Sequence, residues 1–233
     1  MRVLVTRPKD DADEIAARLR ARGHDVLIAP LLDIRFRDGA NIPLADIQAV
    51  LATSANGVRA LARRTPHRTI PIYAVGPQTA AEAARLGFAN IRDAQGDARA
   101  LAEAVQHWAD PAQGALLHAA GADTKGDLVA RLRAAGFTAR TETLYDALAV
   151  AALPAPVRQA LEQDRLDAVL LFSPRSARIL AEGIEAAGLS AACARLIAAA
   201  ISPAAAAPLA GLPFTDIRAA GAPNQESLLS LLD

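Results

Sequence analysis

Short apolar runs, each closed by a polar turn and followed by a stretch of helical apolar spacing, recur along the whole chain. RVLV at 2–5 predicts a strand, and Thr6-Arg7-Pro8 turns it into an amphipathic helix over 10–22, with Ile15 and Leu19 on the apolar side and Gly23 at the C-terminal cap. Residues 25–31 (DVLIAPL) predict a second strand, and 33–37 (DIRFR) alternate like an exposed third. After DGANIP, a crossing point, 46–52 lead into Thr53-Ser54 and a helix. Residues 70–75 lead into Gly76-Pro77-Gln78-Thr79 and a helix closing at Gly87, then 88–92 as strand and 98–108 as helix. The run 168–172 stops at Ser173-Pro174-Arg175-Ser176 before another helical pattern. Serine before a proline at the first helical position is an N-cap arrangement, which leaves backbone N–H groups facing outward.

The pattern occurs twice. Arg18, Leu19 and Gly23 match Arg131, Leu132 and Gly136 at an offset of 113. Ser54, Arg59 and Leu61 match Ser173, Arg178 and Leu180 at 119, and Val75-Gly76-Pro77 match Ile201-Ser202-Pro203 at 126, a register kept by Phe88/Phe214, Ile91/Ile217 and Arg92/Arg218. Three blocks in one order imply an internal duplication. Strand–helix–strand units connect right-handedly, so the strands should be parallel and the fold α/β, with two small sheets. By itself the repeat divides the chain near Gly114.

Composition narrows the function classes. Lys plus Arg and Asp plus Glu stand at 25 each, so no basic excess argues for nucleic acid or an anionic membrane. No run of about 20 apolar residues offers a membrane span, and MRVLVTRPK lacks the apolar segment of a signal peptide, which makes a cytoplasmic protein the expectation. The single Cys193 excludes an internal disulfide and reads as a buried, inert thiol.

In open parallel sheets ligands bind beyond the carboxyl ends of the strands. The turns that belong there are Thr6-Arg7, Thr53-Ser54, Gly76-Pro77-Gln78-Thr79, Ser173-Pro174-Arg175 and Ser202-Pro203. Singly each is a helix cap worth about 1 kcal/mol. Together, with Arg35 and Arg37 nearby in a chain of zero net charge, they point to a polycarboxylate or phosphate ligand. GxGxxG and GxxxxGK[ST] are absent, the four histidines (24, 67, 107 and 118) show no metal spacing, and no Ser-His-Asp arrangement or HExxH occurs, so no cofactor or metal is expected. The Gly121–Gly126 turn with Lys125 reads as a tight turn. Tyr145, one of only two tyrosines, stands at the end of an apolar strand; its phenol is either an interfacial group or a proton donor to a leaving hydroxyl. Trp108 and His118 read as packing residues.

In this order and spacing VLVTRP, TSANGVRAL, YAVGPQTAAEAARLGF, GADTKGDL, LYDAL, LLFSPRSA and ISPA resemble the uroporphyrinogen-III synthase family over essentially the whole chain. The resemblance implies two flavodoxin-like parallel-sheet lobes joined by two extended linkers (DIRFR and LYDALAV), with a cleft between them. It assigns 1–36 plus 149–233 to one lobe and 38–146 to the other. It implies closure of hydroxymethylbilane, which carries eight carboxylates, to uroporphyrinogen III, with loss of water and inversion of ring D through a spiro intermediate and without a cofactor. Tyr145 becomes the candidate acid for water loss, and Thr79 matches the family's threonine in the Gly-rich turn. Thr53, Ser54, Ser173 and Ser202 match hydroxyl-bearing turns that would hold acetate and propionate arms. Many relatives carry arginine where this chain reads His118-Ala119-Ala120-Gly121, so that either a carboxylate contact is weakened there or Lys125 replaces it. The implied protein is a monomer with transient contact to hydroxymethylbilane synthase. A bilobal module that grips a polycarboxylate without catalysis is the alternative.

Overall fold

A computed structural model describes residues 1–123 and 126–233. Strand β1 (Arg2–Val5) passes through α1 (Lys9–Ala21) to β2 (Asp25–Ile28) and β3 (Leu32–Phe36). There follow β4 (Ile47–Ala52), α2 (Ala55–Arg64), β5 (Ile72–Ala74), α3 (Pro77–Arg85), β6 (Ile91–Asp93) and α4 (Ala98–Trp108). The second half opens with β7 (Ala115–Gly121), α5 (Leu128–Ala134) and the long β8 (Ala139–Ala149). It ends with α6 (Ala155–Glu162), β9 (Ala168–Leu171), α7 (Pro174–Ala186), β10 (Ile197–Ala200), α8 (Pro203–Ala206), β11 (Asp216–Ala219) and α9 (Gln225–Leu229).

The chain divides into two compact units, Met1–Asp33 with Leu148–Asp233, and Ile34–Ala147. The first holds a five-stranded parallel sheet ordered β11-β10-β9-β1-β2. Val3, Val5, Ala168, Leu170 and Ala199 pack on one face of this sheet, Leu4, Val169, Leu171, Ala198 and Ala200 on the other. Burial on both faces is why these strands are uninterrupted apolar runs. The second unit's sheet runs β3-β8-β7-β4-β5-β6. Val50, Ala52, Ile72, Leu117 and Ala119 face one layer of helices, Ala49, Leu51, Tyr73 and Leu116 the other.

The duplication is visible in the pairing. Val3 opposite Ala168 corresponds to Leu116 opposite Ala49, and Ala198 opposite Ile217 corresponds to Ile72 opposite Ile91. Read as β2-β1-β9-β10-β11 and β8-β7-β4-β5-β6, the two sheets have one strand order, the flavodoxin-like 2-1-3-4-5, with the second unit a circular permutation of it. Gly114 lies inside the second unit because each sheet draws strands from both copies of the repeat.

Three local expectations change. Residues 88–92 are not one strand. Gly87, at φ +85, and Phe88 donate to the carbonyls of Ala84 and Ala83, a Schellman closure of α3 that buries Phe88, and β6 starts only at Ile91. β8 runs past Tyr145 to Ala149 because β3 pairs with it. The Arg37 N–H donates to the Leu144 carbonyl and the Val150 N–H to the Leu31 carbonyl, which makes this pair antiparallel where parallel strands were expected throughout. Helices α6 and α9 have no counterpart in the sequence reading. Among the described residues no helix is long and apolar enough to cross a membrane.

Candidate functional site

In the second unit the neighbours β8, β7, β4 and β5 bring their carboxyl ends together. Ser54 adopts an extended backbone and caps α2, its Oγ accepting the Gly57 N–H at 3.0 Å. The same Oγ lies 2.9 Å from the phenol oxygen of Tyr145, across the intervening strand β7 and 91 positions of sequence. Two glycines set that distance. A Cβ on Gly57 would stand 2.5 Å from the Ala119 carbonyl oxygen, so α2 lies close against β7. A Cβ on Gly121 would stand 2.7 Å from Cζ of Tyr145, so the ring lies directly on the β7 backbone.

Thr53 Oγ1 is 3.1 Å from Nε2 of His118, which is 5% exposed. Burial lowers the His118 pKa to about 4, so the imidazole is neutral at neutral pH. His118 is therefore more than a packing residue: it holds a hydroxyl of the β4–α2 turn. A lone histidine in an apolar strand gives no periodic signal for this.

Gly76 starts α3 in extended conformation with Pro77 at the first helical position and no side-chain cap. Pro77 and Gln78 are exposed, whereas Thr79 is buried. Helices α2 and α3 are tied by Glu82, whose Oε1 receives Nε of Arg59 at 2.7 Å and Nη2 of Arg85 at 2.6 Å. Arg59 also reaches Asn56. Burial pushes the Glu82 carboxyl up, but the hydrogen bonds from Arg85 and Arg59 outweigh it and hold the pKa below the usual value.

In the first unit the corresponding turns are held by local bonds. Thr6 is 1% exposed and its hydroxyl donates to the Leu170 carbonyl, tying β1 to β9. Arg7 pairs with Asp11 at 2.9 Å and lies 4.8 Å over the Phe172 ring. Ser173 caps α7 through the Ser176 N–H and reaches the Ser176 hydroxyl at 3.0 Å, with Pro174 and Arg175 opening the helix. Ser202 caps α8 through the Ala205 N–H. Arg37, grouped with the anion-binding arginines by sequence, forms a two-pronged pair with Asp146 at 2.7 and 2.8 Å; that pairing holds the Asp146 carboxyl below its usual pKa. Trp108 packs edge-on against Tyr73, and burial raises the Cys193 thiol to about 11. Among the described residues no group of three or more His, Cys, Asp or Glu could hold a metal. Thr124 and Lys125 lie outside the described residues.

The family profile of uroporphyrinogen-III synthase HemD matches residues 13–230. The chain belongs to the uroporphyrinogen-III synthase family. It is accordingly an enzyme of tetrapyrrole biosynthesis, the cyclase that forms uroporphyrinogen III. Two solved structures of such synthases share its fold. The uroporphyrinogen-III synthetase of Helicobacter pylori aligns at a TM-score of 0.65 and 17% identity over 100% of this chain and 98% of that one. A mutant uroporphyrinogen III synthase of the extreme thermophile Thermus thermophilus aligns at 0.57 and 17%, over 100% and 96%. No curated sequence matches the chain at a significant level.

Proposed function

We propose that this uroporphyrinogen-III synthase is a cyclising hydro-lyase in which Tyr145 protonates the leaving hydroxyl of hydroxymethylbilane. The observation that carries the reading is the 2.9 Å contact between the Tyr145 phenol and Ser54 at the carboxyl edge of a parallel sheet, beside two helix N-termini. The phenol O–H breaks and its proton goes to the hydroxymethyl oxygen. The C–O bond breaks with its electron pair leaving as water, and the pyrrole nitrogen lone pair fills the carbon as an azafulvene-type cation. The last pyrrole attacks through a spiro centre, fragments and recloses inverted, and the proton shed when the rings regain aromaticity returns to the phenolate.

The remaining work is folding the bilane into one geometry, because unassisted closure gives the uninverted isomer I. The outward N–H groups at the starts of α2, α3 and α7, with Thr53, Gly76, Pro77, Gln78, Ser173, Pro174, Arg175 and Ser202, fit acetate and propionate arms. Thr6 and Thr79, both buried, support the turns that carry them, and Arg7, paired with Asp11, keeps a cation at the β1–α1 turn. Neither a resident cofactor nor a metal has a part in these steps. The proposed protein is a cytoplasmic monomer in transient contact with hydroxymethylbilane synthase.

The test supplies hydroxymethylbilane generated in situ by its synthase and separates the oxidised products. Predominant isomer III establishes the inversion for this chain. Isomer I alone leaves a protein that binds a polycarboxylate without directing its closure.

A further inference from the structure

Ser54 matches the family's carboxylate-holding hydroxyls, yet its surroundings suit another task. A serine hydroxyl offers one hydrogen and two acceptor positions. One acceptor position of Ser54 takes the Gly57 N–H at 3.0 Å, and the partner 2.9 Å away is the Tyr145 phenol oxygen. The phenol has a single hydrogen, which cannot serve both Ser54 and a leaving hydroxyl. If Ser54 donates to the phenol, the tyrosine proton is directed away from the serine. The bonds then run in one sense, from amide N–H to serine hydroxyl to phenol oxygen, each polarising the next. This chain is rooted at the N-terminus of α2, the positive end of a ten-residue helix. Negative charge left on the phenol as its proton departs ends that chain of donors.

We propose that Ser54 is a positioning residue that donates its hydroxyl hydrogen to Tyr145, aims the phenol proton at the substrate and stabilises the phenolate that remains. The inference rests on Tyr145 as the acid. The duplicated cap supports it: Ser173 caps α7 with the same extended backbone, and its second neighbour is the Ser176 hydroxyl, so capping alone calls for no tyrosine. The close approach of Gly57 to the Ala119 carbonyl and of Gly121 to the Tyr145 ring fixes both partners.

The experiment measures isomer III formation by the full chain at varied hydroxymethylbilane supply. Ser54→Ala should lower kcat about tenfold with KM within about twofold, and Ser54→Thr should recover most of the rate. Ser54→Asp keeps a helix cap but has no hydrogen to give and draws the phenol proton to its carboxylate, so it should be slower than Ser54→Ala while melting like the parent. In a Tyr145→Phe background Ser54→Ala should bring no further loss. Asp97→Ala, which removes the cap of α4, should leave kcat unchanged. A raised KM at unchanged kcat for Ser54→Ala, or losses that multiply with Tyr145→Phe, would make Ser54 a carboxylate anchor and overturn the proposal. Full activity of Tyr145→Phe overturns the assignment of Tyr145 itself. An impaired Tyr145→Phe beside an unimpaired Ser54→Ala overturns this inference alone.

Discussion

The two units answer one question twice. They share strand order, residue register, serine-capped helices and Schellman glycines at Gly23, Gly87, Gly136 and Gly188, features that recur because the fold needs them. At matched positions the side chains differ. Val5 stands where the second unit has His118, Leu32 where it has Tyr145, and Phe172 where it has Thr53. Arg178, the match of Arg59, forms an exposed pair with Glu182 of its own helix, whereas Arg59 reaches the buried Glu82 of the next one. The counterpart of Glu82 is Pro208. What occurs in both units is architecture, and what occurs once is specialisation. By that measure the proton chemistry we propose belongs to the second unit, and the turns of the first have only the carboxylate-holding part we propose for them.

The sharpest way to break this comparison is Tyr145→Phe, expected to slow isomer III formation about a hundredfold or more, against Leu32→Met, expected to leave kcat unchanged. Isomer-resolved product analysis reads both. Next, Arg59→Met should lower stability by about 3 kcal/mol, since it strips the buried Glu82 of its buried partner, while Arg178→Met should stay within about 0.5 kcal/mol in urea unfolding.

His118 gives a pH test of similar size. Its native pKa of about 4 lies below the usual 6.5, so the unfolded chain takes up the proton first. The stability this position contributes is complete above about pH 6.5 and is lost progressively as the pH falls to about 4, up to roughly 3 kcal/mol. His118→Val, which copies Val5, should flatten that stretch of a melting-temperature profile. The smallest effect concerns Gly57, whose match is Ser176. Gly57→Ser should cost about 2 kcal/mol through the Ala119 carbonyl, whereas Ser176→Gly should cost only about 1 kcal/mol of helix propensity. Equal losses would mean that the two helices approach their sheets alike.

Local chemistry was legible in the sequence. Ser54, Ser173 and Ser202 cap the helices they precede, and the alternation of apolar runs with helical spacing gave nearly every strand. Long-range consequences were not. The Ser54–Tyr145 contact needs β8, β7 and β4 side by side, an adjacency made by the permuted closure of the sheet rather than by any spacing. The antiparallel pairing of β3 with β8 was hidden for the same reason. Phe88 misled because apolar character after a helix also serves a Schellman cap. Thr6 looked available because sequence does not reveal that the Leu170 carbonyl takes its hydroxyl.

The exchange of strands between the repeats also sets an order of assembly during synthesis. Ile34–Ala147 is contiguous and can fold as soon as it leaves the ribosome, but β1 waits for β9, its neighbour in the first sheet. At about 5–20 residues per second that wait lasts roughly 8–30 seconds, with Val3, Leu4 and Val5 lacking their inner partner throughout. Nascent chains arrested before residue 168 should therefore carry one folded unit and an apolar, chaperone-accessible leader, and release of the leader should coincide with emergence of β9.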